Sequence, residues 1–138
     1  MTTSLTKKSD IIRTWHLIDV QGKILGRVAT EIAGLLIGKH KTNLVKHLDC
    51  GDYVVVTNAK TVVISGRKAK QKIYYSHSNY PGGFKEITFE KLMAKDPRKV
   101  IVHAVKGMLP KNRLQARFLK RLRVYIDEQH PYADKLAK

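Results

Sequence analysis

Residues 97–126 read PRKVIVHAVKGMLPKNRLQARFLKRLRVYI and decide how we interpret the rest of the chain. Apolar residues at helical spacing occur on both sides of Pro110, and proline cannot continue a helix. Asn112 is a suitable cap for a second helix, and Gln115 stands where its side chain can bond back to that cap. The stretch therefore predicts a helix, a tight break and a second helix, with no acidic residue in any of them.

The second helix should carry two stripes of side chains. The apolar stripe, which we expect to be buried, repeats at every fourth position and comprises Leu114, Phe118 and Leu122. At about 100° per residue a cationic stripe lies beside it and comprises Arg113, Arg117 and Arg121, with Lys120 close by. The same pattern is typical of an ordinary solvated helix face, so the composition of the whole chain has to decide between the two interpretations.

The composition favours an anionic partner. The chain has 27 Lys+Arg and 11 Asp+Glu, a formal net charge of +16 on 138 residues and a sequence pI near 10.1. Charge of this size opposes compaction unless a polyanion or counterions offset it. Nucleic acid is the first candidate partner and an anionic membrane surface the second. No apolar run approaches the roughly 20 residues that span a bilayer, so we expect no membrane segment.

The length suits one domain that can form its own core. Residues 1–12 are polar and predict a flexible arm, which leaves residues 13–138 as the domain. The single cysteine, Cys50, excludes an intramolecular disulfide and fits a reducing compartment.

The pattern along the chain predicts an α/β fold. We expect strands at residues 15–20, 53–56, 61–64, 73–76 and 124–126. We expect helices from Leu25 to a glycine stop at Gly38, across Phe89 to Met93, from Pro97 to Met108, and after Asn112. Residues 53–56 are almost wholly apolar, as in a central strand covered on both faces. Residues 127–138 should form a tail.

Two further segments carry clustered cations. The first is Lys39-His40-Lys41, joined by Lys46 and His47, and it exceeds what a helix end needs for its dipole. The second predicts a projecting loop or hairpin with a cationic tip and contains Arg67, Lys68, Lys70 and Lys72. The aromatic loop that follows could stack on unpaired bases or pack on its own domain, and it includes His77, Tyr80 and Phe84.

Catalytic and metal-binding patterns are weak. Residues 49–52, with His47 nearby, are reactive in type, but they are also ordinary turn residues around a small apolar filler, Cys50. His40, His47 and Cys50 do not match a common zinc spacing, and Gly22 with Gly26 does not form a phosphate loop. We therefore expect no catalytic residue, no metal and no cofactor. A nucleic-acid-processing enzyme stays open as an alternative that a nuclease or ligase assay would reveal, as does a DNA-compacting or membrane-surface protein.

The order of short motifs resembles a known family. The motifs are Gly22-Lys23, Leu25-Gly26-Arg27-Val28-Ala29-Thr30, Gly38-Lys39-His40-Lys41, Gly51-Asp52-Tyr53, Lys72-Ile73-Tyr74-Tyr75, Gly82-Gly83 and Ala104-Val105-Lys106-Gly107-Met108-Leu109-Pro110. In this order they are similar to the universal large-subunit ribosomal protein thirteen family, in its bacterial and organellar form. The resemblance implies a three-layer α/β/α domain around a small, mainly parallel sheet. It also implies a structural constituent of the large subunit that supports translation and is not an enzyme.

The resemblance further implies partners and contact residues. The partners would be large-subunit ribosomal RNA, bound early in assembly, and neighbouring large-subunit proteins, in a cytoplasmic or an organellar ribosome. We expect contacts to RNA phosphates from Lys106, Lys111, Asn112 and Arg113, a second contact from Lys39, His40 and Lys41, and a third from Arg67 to Lys72. Gln115 departs from the family, which usually has glycine there.

Overall fold

The centre of the computed structural model, which describes residues 5–137, is a three-stranded parallel sheet. The strands are β1 (Trp15–Asp19), β2 (Tyr53–Thr57), β3 (Ile73–His77), β4 (Phe84–Thr88) and β5 (Leu122–Val124). The order β1-β2-β5 makes β2 the central strand, with Ile18 opposite Val56 and Val54 opposite Leu122. The predicted α/β class and the predicted central strand are confirmed.

The helices lie between and around these strands. In chain order they are α1 (Leu25–Ile37), α2 (Lys68–Gln71), α3 (Phe89–Lys95), α4 (Pro97–Met108), α5 (Gln115–Lys120) and α6 (Ala133–Leu136). Single 3-10 turns occur at Lys8–Asp10 and Ala59–Thr61. α1 ends at Gly38, as predicted, and Asp96 caps α4 by accepting a bond from Arg98 N at 3.2 Å. Among residues 5–137, no helix is long and apolar enough to cross a membrane.

One face of the sheet packs on the main core and the other is partly covered, which gives three layers. Val54 and Val56 point into the main core, which they share with the apolar faces of α1 and α4. Val55 alternates to the opposite face and is also fully buried. On that face the Trp15 ring stacks on Tyr53 at 4.3 Å and on Tyr132 at 5.0 Å between centroids. The predicted tail therefore contains α6 and packs against β1.

The end of α1 approaches the start of β2 very closely. A Cβ built on Gly51 would lie 1.6 Å from Leu36 O, and one on Gly38 would lie 2.8 Å from Cys50 O. Gly38 also has a φ of +89°, in the left-handed region that favours glycine. These two glycines allow residues 49–52 to pack directly on the helix end, which buries Asp52 fully and Asp49 in part.

Three sequence-based assignments are wrong. Residues 61–64 do not form a strand, because Val63 makes only an isolated bridge to Ile24. β3 is correct, but its antiparallel partner β4 was missed, and the hairpin tip at residues 78–83 carries no Lys or Arg. The cations of residues 67–72 lie instead in α2, before the hairpin. The last strand begins at Leu122, two residues earlier than predicted, so α5 ends at Lys120.

The amino-terminal arm is described only in part. Residues 1–4 of the predicted flexible arm lie outside the described residues. Within the remainder, the Thr6 hydroxyl donates to Asn43 O at 3.0 Å. This contact brings the arm beside the loop that follows α1.

Candidate nucleic-acid interface

The break between α4 and α5 is held by side chains of its own sequence. Leu109 is buried, and the Asn112 side-chain oxygen accepts a bond from Leu114 N at 3.1 Å. Asn112 thus caps the turn that leads into α5, close to its predicted role. Gln115 does not bond back to that cap. Its amide donates to Lys106 O at 3.1 Å and Leu109 O at 3.4 Å, so it satisfies carbonyls at the end of α4.

Exposed cations surround the start of α5. Within residues 5–137 none of the following side chains makes an ion pair: Lys111, Arg113, Arg117 and Lys120. Arg117 and Lys120 line a cavity of about 500 Å³ together with Lys8, Arg13 and His47. His47 was grouped from the sequence with the cations after α1, whereas Lys8 and Arg13 were missed as site residues, because only the fold brings these distant segments together.

Arg121 does not belong to this exposed stripe. It is 6% exposed, pairs with Asp49, and donates to Leu36 O and Asp52 O, each at 3.2 Å. Burial lowers the pKa of its guanidinium, although Asp49 opposes the shift. Arg121 is the C-terminal cap residue of α5 and still has helical backbone angles; it stands three positions after the buried Phe118, and its guanidinium lies 5.6 Å from the centroid of that ring. We therefore correct the prediction that Arg121 faces outward with Arg117.

The segment after α1 likewise contains both exposed and inward-directed cationic side chains. Lys39 and His40 are exposed, as an RNA contact requires. The Lys41 ammonium is directed inward, where it donates to Ile12 O at 2.6 Å and Cys50 O at 2.9 Å and pairs with Asp52 at 2.5 Å. The expectation of a phosphate contact from Lys41 is therefore corrected to a structural role.

Asp52 is the buried centre of a polar cluster. Its Oδ2 lies 2.8 Å from the Nε2 atoms of His16 and His40 and accepts a bond from the Thr14 hydroxyl at 2.8 Å. Burial opposes ionisation, but the bonds from Lys41, His16 and Thr14 outweigh it and hold the pKa of Asp52 well below its usual range. Two histidines and a carboxylate are also metal-ligand types, and their ligand atoms lie within 4.8 Å of one another. Because an ammonium already neutralises this carboxylate, we assign the cluster a structural role.

The third basic segment is exposed along α2. Its cationic side chains are Arg67, Lys68, Lys70 and Lys72. Lys68 and Lys72 line a cavity of about 410 Å³ together with Gly107 and Met108 at the end of α4. The segment therefore adjoins the break between α4 and α5.

The three basic segments form one continuous surface. Met108 lines both the cavity beside α2 and a groove of about 520 Å³ that also contains Lys39, Lys46 and Asn112. Leu48 lines this groove as well as the cavity beside α5. We give the name basic surface to the exposed cations that line these three cavities or stand in the same basic segments; they are Lys39, Lys46, Arg67, Lys68, Lys70, Lys72, Lys106, Lys111, Arg113, Arg117 and Lys120.

Cys50 and the aromatic loop at the hairpin tip lie in different environments. Cys50 is fully buried, as a small apolar filler would be. Tyr80 at the hairpin tip is 74% exposed, while Phe84 stacks on Tyr75 at 5.7 Å between centroids. Base stacking by this loop stays a prediction.

The architecture and the charge distribution are typical of a protein that binds a polyanion. The family model described as Ribosomal protein L13 matches residues 13–131. A "Large ribosomal subunit protein uL13" from Geobacter sp. (strain M21) is 51% identical over 133 residues, which cover 96% of this chain and 94% of the relative. Relatives of the same name are 53% identical in Dehalococcoides mccartyi (96% and 93% covered) and 50% identical in Thermotoga petrophila (94% and 87% covered). The chain therefore belongs to the ribosomal protein L13 family, which confirms the resemblance found in its motifs.

Proposed function

We propose that this chain binds large-subunit ribosomal RNA early in assembly through the basic surface and stays in the subunit beside neighbouring ribosomal proteins. The family is a structural, non-enzymatic component of the large ribosomal subunit and takes part in translation. The observation that carries the proposal is the continuity of three basic segments around the α4–α5 break.

The electrostatics support a phosphate-binding role for this surface. Few acids balance it, because Asp49 and Asp52 are turned inward against Arg121 and Lys41. The remaining cations keep their charge toward solvent, where each can replace a counterion on an RNA phosphate. Asn112 adds an uncharged hydrogen-bonding group on the same path, and the exposed His40 directly follows Lys39 in the chain, with its Nε2 on Asp52.

The contact residues follow from this division. The proposed RNA contacts are Lys39, His40, Arg67, Lys68, Lys70, Lys72, Lys106, Lys111, Asn112, Arg113, Arg117 and Lys120. Lys41 and Arg121 act indirectly, because they hold the loops that carry these side chains. Lys46 and His47 belong to the predicted cationic segment after α1 and lie on the same path, and Lys8 is a cation that the sequence pattern did not indicate. Arg13 also lines the cavity, but its guanidinium donates to Gly51 O at 2.5 Å and Asp49 O at 2.9 Å, so it acts indirectly like Lys41 and Arg121.

The salt dependence of binding tests the proposal. We would measure the affinity of the full chain for large-subunit ribosomal RNA, duplex DNA and anionic vesicles over a series of salt concentrations. Log affinity for the RNA should fall linearly with log salt, by roughly 0.7 to 0.9 per neutralised phosphate. Changing Arg113, Arg117 and Lys120 together to glutamine should weaken RNA binding and make this slope shallower, by up to about 2 to 3 if all three contact phosphates.

A matched variant controls for net charge. Changing Lys91, Lys95 and Lys99 to glutamine removes the same charge from exposed positions on α3 and the start of α4, outside the basic surface. This control should bind RNA nearly as the parent does and should enter large subunits with it. Equal losses in both variants would mean that net charge alone drives binding, and preferential binding to vesicles or duplex DNA would contradict the proposal.

A further inference from the structure

The cavity beside α2, which we call the α1–α4 pocket, combines cationic and apolar walls. It lies between the start of α1, the end of α4 and the base of the β3–β4 hairpin. Its volume of about 410 Å³ falls within the range of about 300–1,000 Å³ that is typical of small-ligand sites. Lys68 and Lys72 supply positive charge, and no Asp or Glu lines it among the described residues. Its charge therefore complements an anionic ligand.

The pocket also has an apolar wall, so a matching ligand needs an apolar part as well as a negative charge. Ile24, Ile64 and Met108 line the same pocket, and Ile24 and Met108 are 38% and 44% exposed. The rings of Tyr74 and His103 complete the wall and meet edge to face at 4.9 Å between centroids. A ligand with a flat, weakly polar body and a phosphate group would match both parts of the pocket.

Tyr74 also has an unused donor in this wall. Its hydroxyl is buried and has no hydrogen-bond partner among residues 5–137. Burial raises the pKa of this hydroxyl, so it stays protonated and able to donate. The Lys72 ammonium lies 5.5 Å from the centroid of the same ring, so the positive charge of the pocket is next to this residue. A buried donor without a partner is uncommon and is satisfied when a ligand acceptor binds.

Two helical glycines keep the pocket open. Gly26 in α1 and Gly107 in α4 both line it, and a Cβ built on either would meet no atom within 4 Å. Neither has a positive φ, so neither backbone conformation requires glycine. Glycine destabilises a helix relative to alanine, and nothing in the described chain fills the space that the missing side chains leave. A ligand that occupies this space would explain why both positions have glycine rather than alanine.

We propose that the α1–α4 pocket receives one nucleotide of the ribosomal RNA, with its base against the apolar wall and its phosphate at Lys68 and Lys72. We favour RNA, rather than a free nucleotide, as the source of the bound group, because Met108 connects the pocket to the groove of the basic surface. This inference rests on the proposed RNA-binding function and adds a specific site to it. A base displaced from its stack is the usual target of such a pocket.

Backbone amide NMR on the full chain provides the test, at about physiological salt. The probes are inorganic phosphate, adenosine 5′-monophosphate and a single-stranded adenosine hexanucleotide. The hexanucleotide should shift the amide signals of Gly26 and Gly107, the monophosphate should shift the same signals more weakly, and inorganic phosphate should have little effect. Changing both glycines to alanine should raise the melting temperature by a few degrees yet weaken hexanucleotide binding at least tenfold.

Gly34→Ala is the matched control. Gly34 is also a helical glycine of α1 with nothing within 4 Å of a built Cβ, but it does not line the pocket. It should raise the melting temperature and leave hexanucleotide binding unchanged. Tyr74→Phe, which removes only the hydroxyl, should weaken binding without changing the ring contacts.

Three results would overturn the inference: unmoved Gly26 and Gly107 signals, an alanine pair that binds like the parent, or equal responses to phosphate and monophosphate. The hexanucleotide titration shows whether a nucleotide enters the pocket, and it does so without using ribosomal RNA. If the parent binds ribosomal RNA normally but the hexanucleotide does not enter the pocket, only the nucleotide-site proposal is rejected. If the parent shows no preference for ribosomal RNA over duplex DNA and anionic vesicles, the proposed function is rejected, whatever the pocket binds.

Discussion

Replacing Arg121 with glutamine should destabilise the free protein without removing a contact to RNA. The side chain is 7% exposed and holds three acceptors, namely the carboxylate of Asp49 and the carbonyls of Leu36 and Asp52. Removing one partner of a buried ion pair costs about 3–5 kcal/mol. Because Asp49 keeps Arg13 at 3.5 Å, we expect the lower end, about 3 kcal/mol. Against a total of about 5–15 kcal/mol, this is a large loss.

Thermal and urea unfolding would measure the effect. A loss of about 3 kcal/mol in a chain of this size should lower the melting temperature by roughly 10 °C. Arg117→Gln is the matched comparison, because it removes the same group from an exposed position. It should change the free energy of unfolding by no more than about 0.5 kcal/mol.

RNA binding separates the two variants a second time. At a temperature where both are folded, Arg117→Gln should make the salt slope shallower by roughly 0.7 to 0.9, whereas Arg121→Gln should keep the slope of the parent. The reasoning would be refuted if Arg121→Gln melted like the parent and lost the phosphate contact instead. That result would place the guanidinium in solution, on the stripe where helical spacing had predicted it.

Two further predictions concern the interior around β2. Asp52 has a lowered pKa, so its ionised form stabilises the fold above its unfolded pKa of about 3.9, and this stability is lost as the pH falls below that value. Asp52→Asn should therefore be less stable than the parent at pH 7 and lose less stability between pH 4 and pH 2.5 in urea unfolding; parallel curves would contradict this. Cys50→Ala should cost about 1 to 2 kcal/mol and leave RNA binding and subunit incorporation intact, and lost incorporation in a folded variant would indicate a reactive role.

Local pattern was sufficient wherever neighbouring residues dictate the structure. The apolar run of β2, the glycine after α1 and the Asp96-Pro97 start of α4 were all predicted correctly, because each depends on burial, backbone conformation or capping within one segment. The order of motifs likewise indicated the family, and the charge indicated an anionic partner. β4 was missed because its pairing partner, rather than its own composition, makes it a strand.

The positions of individual cations depended on tertiary structure. Arg117 and Arg121 belong to the same predicted stripe, yet one faces solvent and the other is buried on Asp49. The difference arises because Leu36 and Asp52 provide Arg121 with acceptors from distant parts of the chain. Lys41 differs from Lys39 for the same kind of reason, since Asp52 lies within reach of only one of them.

Periodicity, motif order and composition were enough to establish the α/β class, the family and the excess of positive charge. Three features followed from the fold alone: which cations are free of partners among the described residues, the approach of residues 8, 13 and 47 to α5, and the shared pocket of Gly26 and Gly107. The physical reason is that charge and hydrogen-bonding capacity are consumed by whichever partners the fold brings near, and those partners lie far away in the chain.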